Sequence, residues 1–253
     1  MMSEKGLEAF RAYMGCQCSC FQNAKREGDG IYQPFVTISR QTGAGGITVG
    51  EKLVKFLREH DKSASCPWTI FDRNLVKRVI EEHDLPHEVE RFMPEHKRSE
   101  LQNYFEELFN LHPSEWTLLH KTSETILHLA QMGDAVIVGR GANIITRSLP
   151  AGFHVKLISS LAKRLKHIQE YYQMKKDKAG EFLTREDQGR KEYIKKHFDR
   201  NIDDPLLYDL VINTDRVSYD RAAEMIGREV LCIRDLMREK QAERQVRHGK
   251  NDY

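Results

Sequence analysis

Five short apolar runs alternating with amphipathic stretches, and a glycine-rich turn between the first run and the first such stretch, predict an α/β fold on a five-stranded parallel sheet. The runs are Phe35 to Ser39, Trp68 to Phe71, Ala135 to Val138, His154 to Ile158 and Leu210 to Asn213. Short runs rich in β-branched residues suit strands covered on both faces, as in a parallel sheet between helical layers.

Residues Met1 to Gln33 precede the first strand and include the polar, glycine-containing stretch Lys25 to Gly30, which reads as a linker. The leading helical segment of this extension either packs on the body or stays mobile. The body spans residues 34–232. Ile47 to His60 puts Val49, Leu53, Phe56 and Leu57 on one helical face, and Arg73 to His83 does the same with Leu75, Val76, Val79 and Ile80. Pro86 to Pro94 reads as irregular, and Ser99 to Leu111 with Ser114 to Met132 as further helix. That is more than a minimal crossover needs, so a cap insertion is expected at about 84–132. Leu161 to Met174 is a basic amphipathic helix, Lys175 to Gly180 a charged turn and Thr184 to Phe198 a charged helix, giving a lid at about 170–200. A terminal helix, Ser218 to Arg244, runs into a charged tail at 233–253 whose last part, Arg238 to Lys250, is expected to fray.

Forty Lys plus Arg against 38 Asp plus Glu leave a formal charge of +2. This near-balance argues against a nucleic-acid coat or a polybasic membrane binder. No apolar run approaches the roughly 20 residues of a membrane helix, and Met1 to Phe10 lacks a secretory core, so the expected location is cytoplasmic. Five cysteines do not make a disulfide framework. Cys16, Cys18 and Cys20 read as reduced thiols on the extension rather than a metal site, and Cys66 and Cys232 as isolated structural residues. His83 with His87, and Glu124 with His128, do not amount to metal sites.

The chemistry concentrates in Phe35-Val36-Thr37-Ile38-Ser39-Arg40-Gln41-Thr42-Gly43-Ala44-Gly45-Gly46-Ile47-Thr48. Here a strand delivers the chain through a glycine turn to a helix start, where free amides and the positive end of the helix dipole face an anion. A phosphate-binding loop is expected at Gly43, Ala44, Gly45, Gly46, Ile47 and Thr48, a structural turn being the alternative. The full Walker A string would need Gly at Arg40 and Lys at Gly46.

This loop, the later Gly139-Arg140 pair and the string Tyr208-Asp209-Leu210-Val211-Ile212-Asn213-Thr214 together resemble the cytidylate kinase-like family of P-loop nucleoside monophosphate kinases, over about Pro34 to Ile226. In cytidylate kinases proper the loop reads Gly-Pro-Ser-Gly-Ala-Gly-Lys-Gly-Thr. Gly43, Ala44, Gly45 and Thr48 match it, while Arg40 falls on the first Gly and Gly46 on the Lys. The resemblance implies a P-loop NTPase-type three-layer α/β/α domain with a helical insertion for the nucleoside monophosphate and a lid. It also implies ATP and Mg2+ as cofactors, with Thr48 near the metal, and a nucleotide acceptor such as CMP or dCMP.

The same resemblance implies site residues. Asp72 and Arg78 coincide with the Asp and Arg of an acceptor-binding segment, Asp72 being equally a helix cap. Arg140 would hold the acceptor, although Gly141 removes the family's following Asp. Arg164, Asp187, Arg190 and Tyr193 fall in the lid, where arginines stabilise the transferring group and exclude water. Leu183 and Thr184 stand where the family has a further Arg-Asp pair. The loop lysine normally neutralises charge between the β- and γ-phosphates, and Arg40 is the candidate replacement, with a surface ion pair as its alternative role.

Two further readings stay open. A nucleotide-binding regulatory or sensor module would keep the fold without efficient transfer, consistent with Gly46 and Gly141. A dinucleotide-dependent oxidoreductase would use Gly43-x-Gly45 and Asp72, but Thr48 stands where its third glycine belongs. The oligomeric state is not encoded in any motif.

Overall fold

The computed structural model describes residues 8–17, 33–72 and 116–248. The helices expected at Arg73 to His83 and Ser99 to Leu111, the irregular stretch between them and the candidate Arg78 lie outside these residues.

Five parallel strands form one sheet in the order β2-β3-β1-β4-β5. They are β1 (Phe35–Arg40), β2 (Thr69–Phe71), β3 (Ala135–Val138), β4 (Gly152–Ile158) and β5 (Leu210–Asn213). Each lies where the apolar runs predict, and strands β1 and β3 are buried almost throughout, as continuous runs require. The chain leaves β1 for one side of the sheet and returns to its other side with β4, so the carboxyl ends around β1 form the crevice where open α/β sheets bind ligands.

Seven helices are present among the described residues. On one face α2 (Gly46–His60) and α7 (Tyr219–His248) pack Leu53, Leu57, Ile226 and Val230 against Val36 and Ile38. On the other, α1 (residues 8–17), α3 (Trp116–Met132) and the short α4 (Ala142–Ile145) cover Phe35, Phe71 and Ile137. The region expected to form a lid holds the end of α5 (Leu161–Tyr172) and α6 (Lys176–Phe198). The charged turn expected at Lys175 to Gly180 shrinks to a break at Gln173, held at φ 53, because α6 starts eight residues before the expected Thr184. The tail expected to fray after Arg238 continues as helix to His248. No helix among the described residues is long and apolar enough to cross a membrane.

Of the two states open to the leading segment, α1 takes the packed one. Phe10 and Tyr13 bury their rings edge-on against Phe71, with centroids at 6.3 and 5.3 Å, and the Tyr13 hydroxyl donates to the Gly133 carbonyl at 2.6 Å. The expected reduced thiol at Cys16 and isolated Cys66 are corrected together, since the two form a disulfide across 50 residues of sequence. Cys232 is the exposed free thiol among the described residues.

A buried charge network closes the amino-terminal end of the sheet. Arg234, on α7, pairs with Asp134 and, at 2.8 Å, with Asp61; Trp68 donates its ring N–H to Asp61 at 2.8 Å, and the Cys66 amide donates to Asp134 at 3.0 Å. Burial pushes the Asp134 carboxyl above its ordinary value, and Arg234 pulls it back. Arg234→Ala leaves two buried acids without their cation and should cost about 3–5 kcal/mol in urea unfolding.

His128, on α3, is buried with Nδ1 lacking a hydrogen bond, and burial lowers its pKa to about 4. In the unfolded chain it takes a proton near pH 6.5, in the folded chain only near 4, so stability is lost as pH falls through that window. Between pH 7 and pH 5 this one group should remove about 2 kcal/mol. Melting curves of His128→Leu should show that much less acid sensitivity than the wild type.

Candidate active site

The loop after β1 is shaped by one close approach. Gly43 has φ 81, and a Cβ there would lie 2.6 Å from the Arg164 backbone carbonyl, so the turn passes under α5 only as glycine. Around it the backbone is braced. The Gln41 amide donates to Leu157 O at 3.0 Å, the Gln41 side chain accepts from the Ser159 amide at 3.0 Å, and the Thr214 hydroxyl donates to Ala44 O at 3.3 Å. Helix α2 then begins from Gly45, which supplies no side-chain cap. The first-turn amides of Gly46, Ile47 and Thr48 therefore have no intrahelical acceptor, and the positive end of the dipole is available to an anion.

Arg40 ends β1 and turns across this helix start. A Cβ at Gly46 would sit 2.8 Å from the Arg40 Cγ and 3.0 Å from its Cδ, so the arginine stem fills the space a residue-46 side chain would use. Its guanidinium ends over Gly139, where a Cβ would be 2.1 Å from Nη1. Desolvation, then the charges of Arg190 and Arg140, lower the Arg40 pKa to about 10, against the opposing pull of Asp72 and Tyr172. It stays cationic at neutral pH, inside the site rather than in a surface ion pair.

These groups line a cavity of about 530 Å3 at the carboxyl end of the sheet. Its walls include Arg40, Gly43, Gly45, Gly46, Ile47 and Thr48 on the loop side. Asp72 and Arg140 come from the ends of β2 and β3, and Arg190 from α6. Three sequence candidates, Ala44, Arg164 and Asp187, are not on the cavity wall. Ala44 is fully buried and turned from the cavity wall, because its position faces the core behind the loop. Arg164 is not a wall residue but stands one layer back, bonded to Asp187 and, at 3.4 Å, to Thr42 O.

The lid reaches the loop through Thr42. Asp187 accepts from the Thr42 amide at 2.8 Å and from its hydroxyl at 2.6 Å; Arg190 donates to the Thr42 oxygen and pairs with Asp187 at 3.2 Å and Glu186 at 3.7 Å. Thr42 had no signal in the sequence beyond its place inside the glycine turn. Sequence reading also missed the aromatic wall of the lid, where Tyr172 lies 4.9 Å from Tyr171 and 5.4 Å from Phe182, and Arg185 sits 5.6 Å over the Phe182 ring. Beyond the end of β3, Gly141 has φ 72 and a Cβ there would meet the Phe198 ring at 2.7 Å. An aspartate at that position has no room while Phe198 is packed there.

The described residues hold no group of three or more His, Cys, Asp or Glu suited to a metal ion. A divalent cation here would depend on ligand oxygens, with the Thr48 hydroxyl as the loop's contribution.

The sequence pattern of the cytidylate kinase-like family matches residues 35–216, from the first strand through the loop after the last. The chain belongs to the cytidylate kinase-like family. Among solved structures, an uncharacterized protein from Eubacterium ventriosum superposes with a TM-score of 0.58 at 19% identity, covering 78% of this chain and 98% of that one. At that identity the likeness is one of fold. No curated protein matches the chain. Family membership fits a nucleotide kinase-like fold, and Arg40, Gly46, Gly141 and the Leu183-Thr184 pair are among the places where the chain departs from the motifs of cytidylate kinases proper.

Proposed function

We propose that the protein transfers the γ-phosphoryl group of Mg-ATP to a nucleoside monophosphate, with CMP and dCMP as the first acceptors to test. The observation that carries this reading is Arg40, a cation lodged across the glycine that replaces the loop lysine. In phosphoryl transfer, catalysis is positioning plus charge, and the acceptor phosphate is already anionic at neutral pH, so no strong general base is required. The amides of Gly43 and of Gly45 to Thr48 would hold the donor phosphates, and the Thr48 hydroxyl would help hold Mg2+, which would supply charge neutralisation there. Arg40 would face the bond being broken. Arg140, at the end of β3, would grip the acceptor phosphate, while Arg164 and Arg190 would bring positive charge onto the transferred group as the lid closes and excludes water. Phe198 packing over Gly141 favours an acceptor base read by contacts other than the family's aspartate.

The same Gly141 supports a second reading, a nucleotide-binding regulatory or sensor module with weak transfer or none. Phosphoryl transfer from γ-labelled Mg-ATP to a panel of ribo- and deoxynucleoside monophosphates separates the two. Transfer to one acceptor is expected, with Arg40→Ala lowering kcat by about 10²–10³ at a nearly unchanged KM for ATP. Arg140→Ala should raise KM for the acceptor instead. ATP binding with no transfer to any acceptor would leave the sensor reading.

A further inference from the structure

We propose that Asp187 is a surrogate anion, held beside the phosphate loop by Thr42, Arg164 and Arg190, and exchanged there for the dianionic terminal phosphoryl group of a ligand. This rests on the reading that the cavity takes phosphates. Its basis is the company Asp187 keeps. One carboxylate oxygen accepts from both the amide and the hydroxyl of Thr42, inside the glycine turn, and also pairs with Arg190; the other pairs with Arg164 on a different helix. A backbone amide, a hydroxyl and two guanidiniums converging on one group is the donor set that binds phosphate oxygens.

An ordinary helix-surface pair between Asp187 and Arg190 does not account for this arrangement. The Thr42 bonds join residues 145 apart in sequence, and the Arg164 bond joins residues 23 apart. The pairing also leaves one buried donor unmet. Two guanidiniums face one carboxylate from Asp187, Arg190 turning partly to Glu186, and the Nε of Arg164 is buried with no hydrogen-bond partner. A phosphoryl dianion offers one more charge and one more oxygen than a carboxylate. It can therefore displace Asp187, which a neutral nucleoside cannot.

The exchange links ligand charge to lid position. The Thr42 amide has a single proton, so it cannot serve Asp187 and a phosphate oxygen with full strength at once. While Asp187 holds it, α6 is latched to the loop. A ligand carrying a terminal phosphate takes over Thr42, Arg164 and Arg190 together, and Asp187 leaves. The group that the arginines will bind is thereby selected as a terminal phosphate before any acceptor is engaged.

The test uses the full chain and inorganic tripolyphosphate, which requires no transfer step, titrated by calorimetry into the wild type, Asp187→Asn and Asp187→Ala. Melting temperatures check that each variant is folded. Glu186→Gln removes the same charge from the same helix without touching Thr42 and so measures the general electrostatic gain. Both Asp187 variants should bind tripolyphosphate about tenfold or more tightly than the wild type, well beyond the gain of Glu186→Gln, and amides of α6 should exchange faster in the ligand-free Asp187 variants. Equal or weaker binding by the Asp187 variants, a gain no larger than that of Glu186→Gln, or binding by none of the proteins would overturn the proposal. Tight tripolyphosphate binding as expected, with no transfer to any nucleotide, would remove the kinase reading and leave the exchange standing.

Discussion

Arg40 and Gly46 occupy one volume between them, and the site depends on that division. In the P-loop pattern the strand ends in glycine and the helix carries the cation on a lysine. Here the strand residue is large and the helix residue has no side chain, and the two changes are sterically tied, since any Cβ at position 46 would run into the Arg40 stem. The contact fixes the guanidinium over Gly139, within reach of the charges of Asp72, Arg140 and Arg190. Neither substitution is intelligible alone. A glycine at 46 with a small residue at 40 would leave a hole and no cation, and an arginine at 40 with a lysine at 46 would force two like charges into one desolvated space.

The same logic operates on the opposite wall. Gly141 stands where cytidylate kinases have an aspartate, and Phe198 from the end of α6 fills the space. A polar side chain is thus replaced by packing that ties α6 to the end of β3. Together with the Asp187 to Thr42 bonds, this gives α6 two anchors, one on the glycine-rich loop after β1 and one on the turn after β3. At the far end of the sheet the buried Arg234 network and the Cys16 to Cys66 disulfide hold α7 and α1 against the strands. On the proposed exchange, the carboxyl edge carries contacts that a ligand can displace, while the amino edge is held by the buried network and the disulfide.

The sheet was legible because its strands are covered on both faces, so five short apolar runs stand out from a charged chain. The glycine turn was legible for a local reason as well, the glycines required where backbone passes under Arg164 and where α2 begins. What escaped the sequence is long-range. Nothing local pairs Cys16 with Cys66 across 50 residues, or Asp187 with Thr42 across 145. The periodicity of residues 8–17 fits a buried helix or a loose one equally, until Tyr13 is seen against Phe71 and bonded to Gly133. Ala44 was placed in the cradle with its neighbours, but an alternating turn sends one of those side chains to the core. The start of α6 was missed because Lys175 to Gly180 is rich in charge and ends in glycine, so it reads as a turn, whereas buried Ala179 and Leu183 hold it as helix.

The most direct test of the account is a double swap that restores the parental arrangement. Arg40→Gly, Gly46→Lys and the double variant would be compared with the wild type in transfer from Mg-ATP to the accepted monophosphate. If the cation has moved from helix to strand, both single variants lose turnover by at least about a hundredfold and the double variant recovers most of it, a coupling far from additive. Losses that simply add in the double variant, or an Arg40→Gly protein as active as the wild type, would contradict the claim that Arg40 took over the role of the missing lysine.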